Sequence, residues 1–267
     1  MPGARGPDAM SRRDGGRSSL VWDVLAQVIA ERVAATGRTA LDIVDVGAGT
    51  GGFAVSLAGR GHRVTVVDPS PDALAAARWR AAEAGVTLTE VQGEAADLPA
   101  LIGQPGAAGP GPGGGVDLVI CHNVLEYVDS PPAALAAVAR VLRPGGTVSV
   151  VAANSVAAVL QRALAGKYAE ARALLPGGPG TAGGSATGTP GAAAVARRFT
   201  LPELTALIEG AGLRPGDAHG IRVFASLLPG AGADPVAAEA LRELEEAAAS
   251  CPPLRDIAAR LHVLGHS

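Results

Sequence analysis

One stretch constrains the fold of this chain more than any other. Residues 41–46, Leu-Asp-Ile-Val-Asp-Val, form an apolar, β-branched run that stops at Gly47, and four glycines (Gly47, Gly49, Gly51 and Gly52) then fall within six positions. Such a run reads as a buried strand. The glycines behind it permit a tight turn and a close approach of backbone to a ligand. Residues 53–60 carry a helical pattern, and residues 63–68 are a second β-branched run. Strand, glycine loop, helix, strand is a βαβ unit, which implies a parallel sheet with right-handed crossovers.

The alternation continues along the chain. Residues 71–84 are an Ala-rich helix ended by Gly85, residues 86–92 a third strand, 116–121 a fourth, 132–142 a helix and 147–152 a fifth strand. A helix over 20–35 precedes the first strand, its apolar positions at Leu20, Val21, Val24, Leu25, Val28 and Ile29. Thr200 with Glu203 three residues on is a capping box for a helix within 197–212. Residues 221–228 are apolar enough for a last strand, and 234–249 read as a charged surface helix. The expected organisation is a flexible tail over 1–16 and a single α/β domain over 17–267. Two nearly uncharged Gly/Pro-rich insertions interrupt it near 103–115 and 176–194, the second long enough to be a disordered loop or a lid.

Composition narrows the function classes. A net charge of -3 argues against a protein held mainly by nucleic-acid backbones, while leaving room for a local basic patch. Cys121 and Cys251 lie too far apart to resemble a metal-ligand pair, so no metal is expected, and Cys121 within an apolar run reads as a buried reduced thiol. Residues 1–16 carry arginines but no apolar core of a secretory signal, and no apolar run reaches transmembrane length; a cytoplasmic protein without membrane contact is expected.

Read literally, Gly47, Gly49 and Gly52 satisfy G-x-G-x-x-G, which also describes dinucleotide sites. Asp45 helps to separate the ligands. A pyrophosphate at this turn would meet a nearby carboxylate, whereas S-adenosylmethionine (SAM) carries an ammonium and a cationic sulfur and no phosphate. Asp68, ending the second strand, can accept both hydroxyls of a ribose in either case, or cap the following helix.

These residues resemble a known family. Val44–Gly51, Val67–Ser70, Gly93–Pro99 and Val141–Gly146 are similar, in order, to the successive motifs of class I SAM-dependent methyltransferases. The resemblance implies a Rossmann-like doubly wound sheet, mostly parallel with an antiparallel last strand, and SAM as cofactor. It implies that Gly47, Ala48 and Gly49 line the methionine moiety, that Asp68 binds the ribose and that Ala95 and Ala96 flank the adenine. His122 would sit beside the cofactor.

A narrower resemblance is to the bacterial tRNA 5-carboxymethoxyuridine methyltransferase subfamily. Arg17 ahead of Trp22, the segment His122–Val128, Gly220–Phe224 followed by Leu241–Glu245, and Arg260–Val263 carry it. It implies that Arg17 meets the carboxylate of SAM and that the acceptor is a carboxylate on a tRNA wobble uridine. The chain departs from this pattern in two places. Ala225-Ser226 replaces a polar continuation, and the neutral 176–194 stretch replaces a lysine-rich one. Both fall where RNA would be recognised. Three readings therefore stand: a tRNA methyltransferase, a small-molecule O- or N-methyltransferase, and a SAM-binding partner protein without catalysis.

The acceptor decides which catalytic groups are needed. A carboxylate is ionised at pH 7 and requires a cation to position it, not a base. Arg222 is the candidate cation, its alternative being a surface pair with Glu209 or Asp217. His122 can serve as base for a hydroxyl or amine; the plainer reading has its ring pack against SAM and donate one hydrogen bond. Tyr127 is placed to line the acceptor mouth or to pack a helix start. Glu126 reads as a solvated or capping carboxylate, and Arg197 and Arg198 as phosphate contacts if RNA binds, otherwise as a solvated face.

Overall fold

The computed structural model describes residues 19–102, 114–175, 196–227 and 235–267. The tail over 1–16, Arg17, the whole 176–194 insertion and all but the last two residues of the 103–115 insertion lie outside these. The elements run α1 (Ser19–Thr36), β1 (Asp42–Val46), α2 (Gly52–Ala58), β2 (Arg63–Asp68), α3 (Pro71–Ala84) and β3 (Thr89–Gln92). Then come α4 (Leu98–Ile102), β4 (Val116–His122), α5 (Pro131–Val141), β5 (Leu142–Ala153), α6 (Ser155–Leu164) and α7 (Tyr168–Ala173). α8 (Leu201–Gly210), β6 (Arg214–Ile221), α9 (Pro235–Ala249) and β7 (Arg260–His266) complete the chain.

Among the described residues seven strands form one sheet in the order β3-β2-β1-β4-β5-β7-β6. β1 to β5 pair in parallel, and β7 runs antiparallel between β5 and β6. β6 therefore points the same way as β5, and six C-terminal strand ends share one edge. An antiparallel last strand was expected, but on residues 221–228. That expectation is corrected: the last strand is Arg260–His266, and β6 ends at Ile221, where the chain turns away. The run after Ile221 is apolar because Val223 packs with Ala248 and Ala258 in a small separate core, not because it is a strand.

Alternation along the strands builds two cores on opposite faces of the sheet. Val44, Val46, Val119 and Cys121 face α5 and α8, with Leu135, Val138 and Leu204. Ile43, Val66, Leu118 and Ile120 face the other side, with Leu25 of α1 and Leu57 of α2. Helix starts follow local chemistry. Ser70 and Ser130 accept hydrogen bonds from Ala73 and Ala133, each with proline in the first turn, and Thr200 and Glu203 form the predicted capping box.

At the opposite, N-terminal edge the sheet is tied by an ionic network. The fully buried Asp117 carboxylate accepts from Arg32 Nε at 3.1 Å, from Arg143 Nη1 at 2.8 Å and from Arg38 Nη2. Asp42 accepts from Arg63 Nε at 2.7 Å and Arg143 Nη1 at 2.8 Å. Two carboxylates thus bind α1 and the starts of β1, β2, β4 and β5 together. Among the described residues, no helix is long and apolar enough to cross a membrane.

Candidate functional site

The glycine loop leaves β1 at the shared C-terminal edge. The Gly47 N–H donates to the Val67 carbonyl at 2.7 Å, which ties the loop to the end of β2. Gly47, Gly49 and Gly51 all have positive φ, at 61°, 53° and 71°. At Gly47 a Cβ would stand 2.6 Å from Val124 Cγ2, so glycine is required there for space as well as for dihedral. Ala48 packs on the α1 side with Trp22 and Phe53.

Asp68, the last residue of β2, stands beside this loop and is 8% exposed. Its Oδ2 accepts from the Gly49 N–H at 3.2 Å and its Oδ1 from the Ser70 N–H at 2.9 Å. The helix cap belongs to Ser70, so Asp68 is held by backbone donors on both sides without being the cap itself. A carboxylate has about four acceptor positions, and these two bonds leave capacity for two hydroxyls on a ligand.

A cleft of ≈ 300 Å³ opens beside Asp68, lined by Gly47, Val67, Gly93–Ala95, Asn123, Val124 and Tyr127. Its size is at the lower end of small-molecule sites. Val67, Ala95 and Val124 supply apolar walls, with the Asp68 carboxylate among them. Such walls suit a base and such a carboxylate a ribose, so the residues present fit the adenosine half of SAM. Of the two alanines expected at the adenine, Ala95 is buried against this cleft. Ala96 is exposed and lines a separate, more open depression beside Ala136 and Leu213.

His122, last residue of β4, turns its ring away from this cleft to the face shared with α1 and α2. It meets Phe53 edge-on at 5.0 Å between centroids, and Phe53 stacks on Trp22 at 4.5 Å. Its Nε2 lies 2.7 Å from Ser149 Oγ, which is in turn 2.9 Å from His262 Nε2. Asp45, 4% exposed, shares the face of Ile43 beneath this aromatic group.

The chain leaves two strands through a residue in the left-handed region, β4 at the centre of the sheet and β6 at its edge. Asn123 after β4 has φ 56° and Arg222 after β6 has φ 59°, the two non-glycine residues with positive φ among those described. Arg222 is exposed, and among the described residues it forms no ion pair with Glu209 or Asp217, the alternative reading of its charge. The segment beyond it is clamped. Glu245 of α9 accepts from the N–H groups of Val223, Phe224 and Ala225 at 2.6, 2.8 and 2.7 Å. The Arg222 carbonyl accepts from Ala259 N–H at 3.2 Å. Glu245 and His262 lay within segments that carry the narrower resemblance but had no role assigned, and Ser149 did not stand out, because these contacts join parts of the chain distant in sequence.

Two further expectations change. Glu126 is not solvated: it is 6% exposed, its Oε1 accepts from the Ala153 N–H at 2.7 Å, and its Oε2 has no partner among the described residues. Burial pushes its carboxyl above the ordinary glutamate range. The Arg197 guanidinium donates to the carbonyls of Val128 and Asp129, the latter at 3.0 Å, so it clamps the loop after β4 and is not held out to solvent. Cys121 is buried and free, with its thiol pushed up to about 12 by burial and the nearby Glu126 and Asp45 carboxylates, as an inert core residue should be. Tyr127 is 75% exposed at the cleft mouth.

Residues 43–146 match a protein-family model described as Methyltransferase domain. The chain is 31% identical over 129 residues to the tRNA 5-carboxymethoxyuridine methyltransferase of Escherichia coli K12, a match covering 48% of this chain and 44% of that protein. It is 34% identical over 102 residues to the ubiquinone biosynthesis O-methyltransferase of Sodalis glossinidius, covering 38% of this chain and 37% of that one. The matched region thus spans less than half the length of either relative. Among solved structures, a SAM-dependent methyltransferase from Methanosarcina mazei superposes with a TM-score of 0.54 at 17% identity, covering 86% of this chain and 93% of the other. The magnesium protoporphyrin IX methyltransferase of Synechocystis, with bound SAH, superposes with a TM-score of 0.52 at 15% identity, covering 91% and 82%. At those identities the likeness establishes a common fold.

Proposed function

We propose that this chain, which carries a class I SAM-dependent methyltransferase domain, transfers a methyl group to an acceptor carboxylate. The observation that carries the transfer is Asp68, fixed by the Gly49 and Ser70 N–H groups at the rim of an apolar cleft beside the glycine loop. In this reading Asp68 accepts the ribose hydroxyls and Ala95 and Val124 enclose the base. Gly47, Ala48 and Gly49 turn the loop under the methionine half, with the buried Asp45 carboxylate adding negative potential beneath it, and Arg17 meets its carboxylate. SAM supplies an electrophilic methyl on a sulfonium centre; what falls to the protein is alignment and the exclusion of water.

The acceptor assignment rests on charge. Arg222 sits at the C-terminal end of the edge strand β6, exposed, and its backbone is held in a left-handed conformation: Glu245 accepts from the N–H groups that follow it, and its own carbonyl accepts from Ala259 N–H. Strain kept at a strand exit by surrounding bonds is a mark of a positioned functional residue. A guanidinium there would fix an anionic acceptor, and a carboxylate with an ordinary pKa of about 4 needs no base. The partial similarity to the tRNA enzyme favours a carboxymethoxyuridine; the similarity to the ubiquinone O-methyltransferases keeps a small-molecule acceptor as the second reading.

The test is transfer of a labelled methyl group from SAM to tRNA that carries unmethylated 5-carboxymethoxyuridine, followed by mass spectrometry of the nucleosides. Label recovered as a base-labile ester on that nucleoside is the expected result. Unlabelled tRNA under conditions where the protein binds SAM would overturn the tRNA reading and favour a small-molecule acceptor.

A further inference from the structure

A row of polar side chains crosses the α1-facing side of the sheet from the site toward its far edge. His122 on β4, Ser149 on β5, His262 on β7 and His219 on β6 occupy successive strands. His122 Nε2 and Ser149 Oγ are 2.7 Å apart, and Ser149 Oγ and His262 Nε2 are 2.9 Å apart. Ser149 and His262 are 0% exposed, and the His262 ring stacks on His219 at 5.5 Å. The far nitrogen of His262, Nδ1, is buried and has no hydrogen-bond partner among the described residues.

We infer that Ser149 and His262 are positioning residues that hold His122 as one tautomer, with its proton on Nδ1 and Nε2 as acceptor. The available protons fix the direction of the chain. A serine hydroxyl has one hydrogen to donate and can accept from a neighbour. If His262 donates Nε2–H to Ser149 and Ser149 donates to His122 Nε2, both hydrogen bonds through Ser149 are supplied with a proton. What this leaves at the far side of His262 is a bare lone pair on Nδ1. If the chain runs the other way, from His122 Nε2–H through Ser149 to His262 Nε2, then His262 must carry its proton on Nδ1. That buries an N–H with no acceptor, the rarer and costlier kind of orphan. If both imidazoles donate to Ser149, its own hydroxyl proton is stranded instead. A cationic His122 meets the same obstacle, because its Nε2–H also drives the chain in the second direction. Burial and the neighbouring imidazoles of His122 and His219 hold His262 well below the ordinary histidine range, so it stays neutral.

The consequence for chemistry deepens the proposed function and rests on it only for the identity of the ligands. His122 presents an N–H donor on its Nδ1 side, and its one basic nitrogen is taken by Ser149. It orients; it does not accept the proton of a hydroxyl or amine acceptor. A carboxylate acceptor, which has no proton to give up, is compatible with such a histidine.

The test is a long-range proton–nitrogen correlation spectrum of the full chain, labelled with nitrogen-15 at its histidines, without ligand, at neutral pH. The chain has 5 histidines, few enough to assign by single substitution. Expected are a protonated Nδ1 and bare Nε2 for His122, and the reverse for His262. A proton on His122 Nε2, a proton on His262 Nδ1, or averaged signals at either ring would overturn the inference. Ser149→Ala should release His122 into a mixture of tautomers, and Ser149→Thr, which keeps the hydroxyl, should restore the single form. An unchanged His122 in Ser149→Ala would remove Ser149 from the role, and if that variant does not fold, the wild-type spectrum decides. Because no ligand is present, failure to bind SAM would defeat the proposed function without touching this result.

Discussion

Arg222 is where one residue's conformation and its proposed task pull in opposite directions. A non-glycine residue at φ 59° costs roughly 1–2 kcal/mol, and the chain holds it there with three hydrogen bonds from the following N–H groups to Glu245. Arg222→Gly should therefore be more stable than Arg222→Ala by about 1 kcal/mol in urea unfolding. Both should lose transfer to a carboxylate acceptor by an amount on the order of a few kcal/mol, read from single-turnover rates. Equal stability of the two variants would mean that the strain is not stored there. The wild-type rate should also be flat between about pH 6 and 8, since an acceptor carboxyl with a pKa near 4 is already ionised. A rise through the histidine range would restore His122 as a base. At this scale the sequence made Asp68 and the loop glycines legible, because a fixed spacing after a strand leaves little choice of position. Arg222 is legible only as a charge, since it follows β6 and does not lie within a strand over 221–228. Ser149 could not be seen at all: a lone serine in an apolar run has no signature until His122 and His262 come to lie on either side of it.

Among the elements, the turn from β1 into α2 carries the most specific demand. Gly47→Ala must bear both a positive φ and a Cβ 2.6 Å from Val124, whereas Gly37→Ala, at φ 67°, has open space around its Cβ. The expected cost is about 1 kcal/mol at Gly37 and a further 1–3 kcal/mol or so at Gly47 for overpacking, measured by urea unfolding. Equal losses would show that Val124 yields freely. Most helices and strands were readable from apolar period and caps, such as Ser70, Ser130 and Thr200. The errors share one cause. Residues 221–228 are apolar because Val223 is buried against Ala248 and Ala258, and periodicity cannot distinguish that from a strand. The true last strand, Arg260–His266, was hidden because its α1-facing positions include His262, a polar residue in a buried place.

For the whole molecule, the sheet divides its labour between its two edges. The N-terminal edge is bound by the Asp117 and Asp42 network, which leaves the C-terminal edge to loops and strained exits. Asp117→Ala would leave Arg32, Arg38 and Arg143 without their shared buried carboxylate. A loss of about 3–5 kcal/mol is expected in equilibrium unfolding, far beyond any surface pair. A loss under 1 kcal/mol would show that the arginines find other partners or water. The central claim concerns the other edge: that the cleft beside the glycine loop binds SAM through Asp68. Titration calorimetry of SAM into the wild-type protein and into Asp68→Ala tests it most directly. One-site binding is expected for the wild type, weakened in the variant by about 1.5–3 kcal/mol for each lost charged hydrogen bond, more than tenfold in Kd. No binding by the folded wild type, or a variant within twofold of it, would contradict the account.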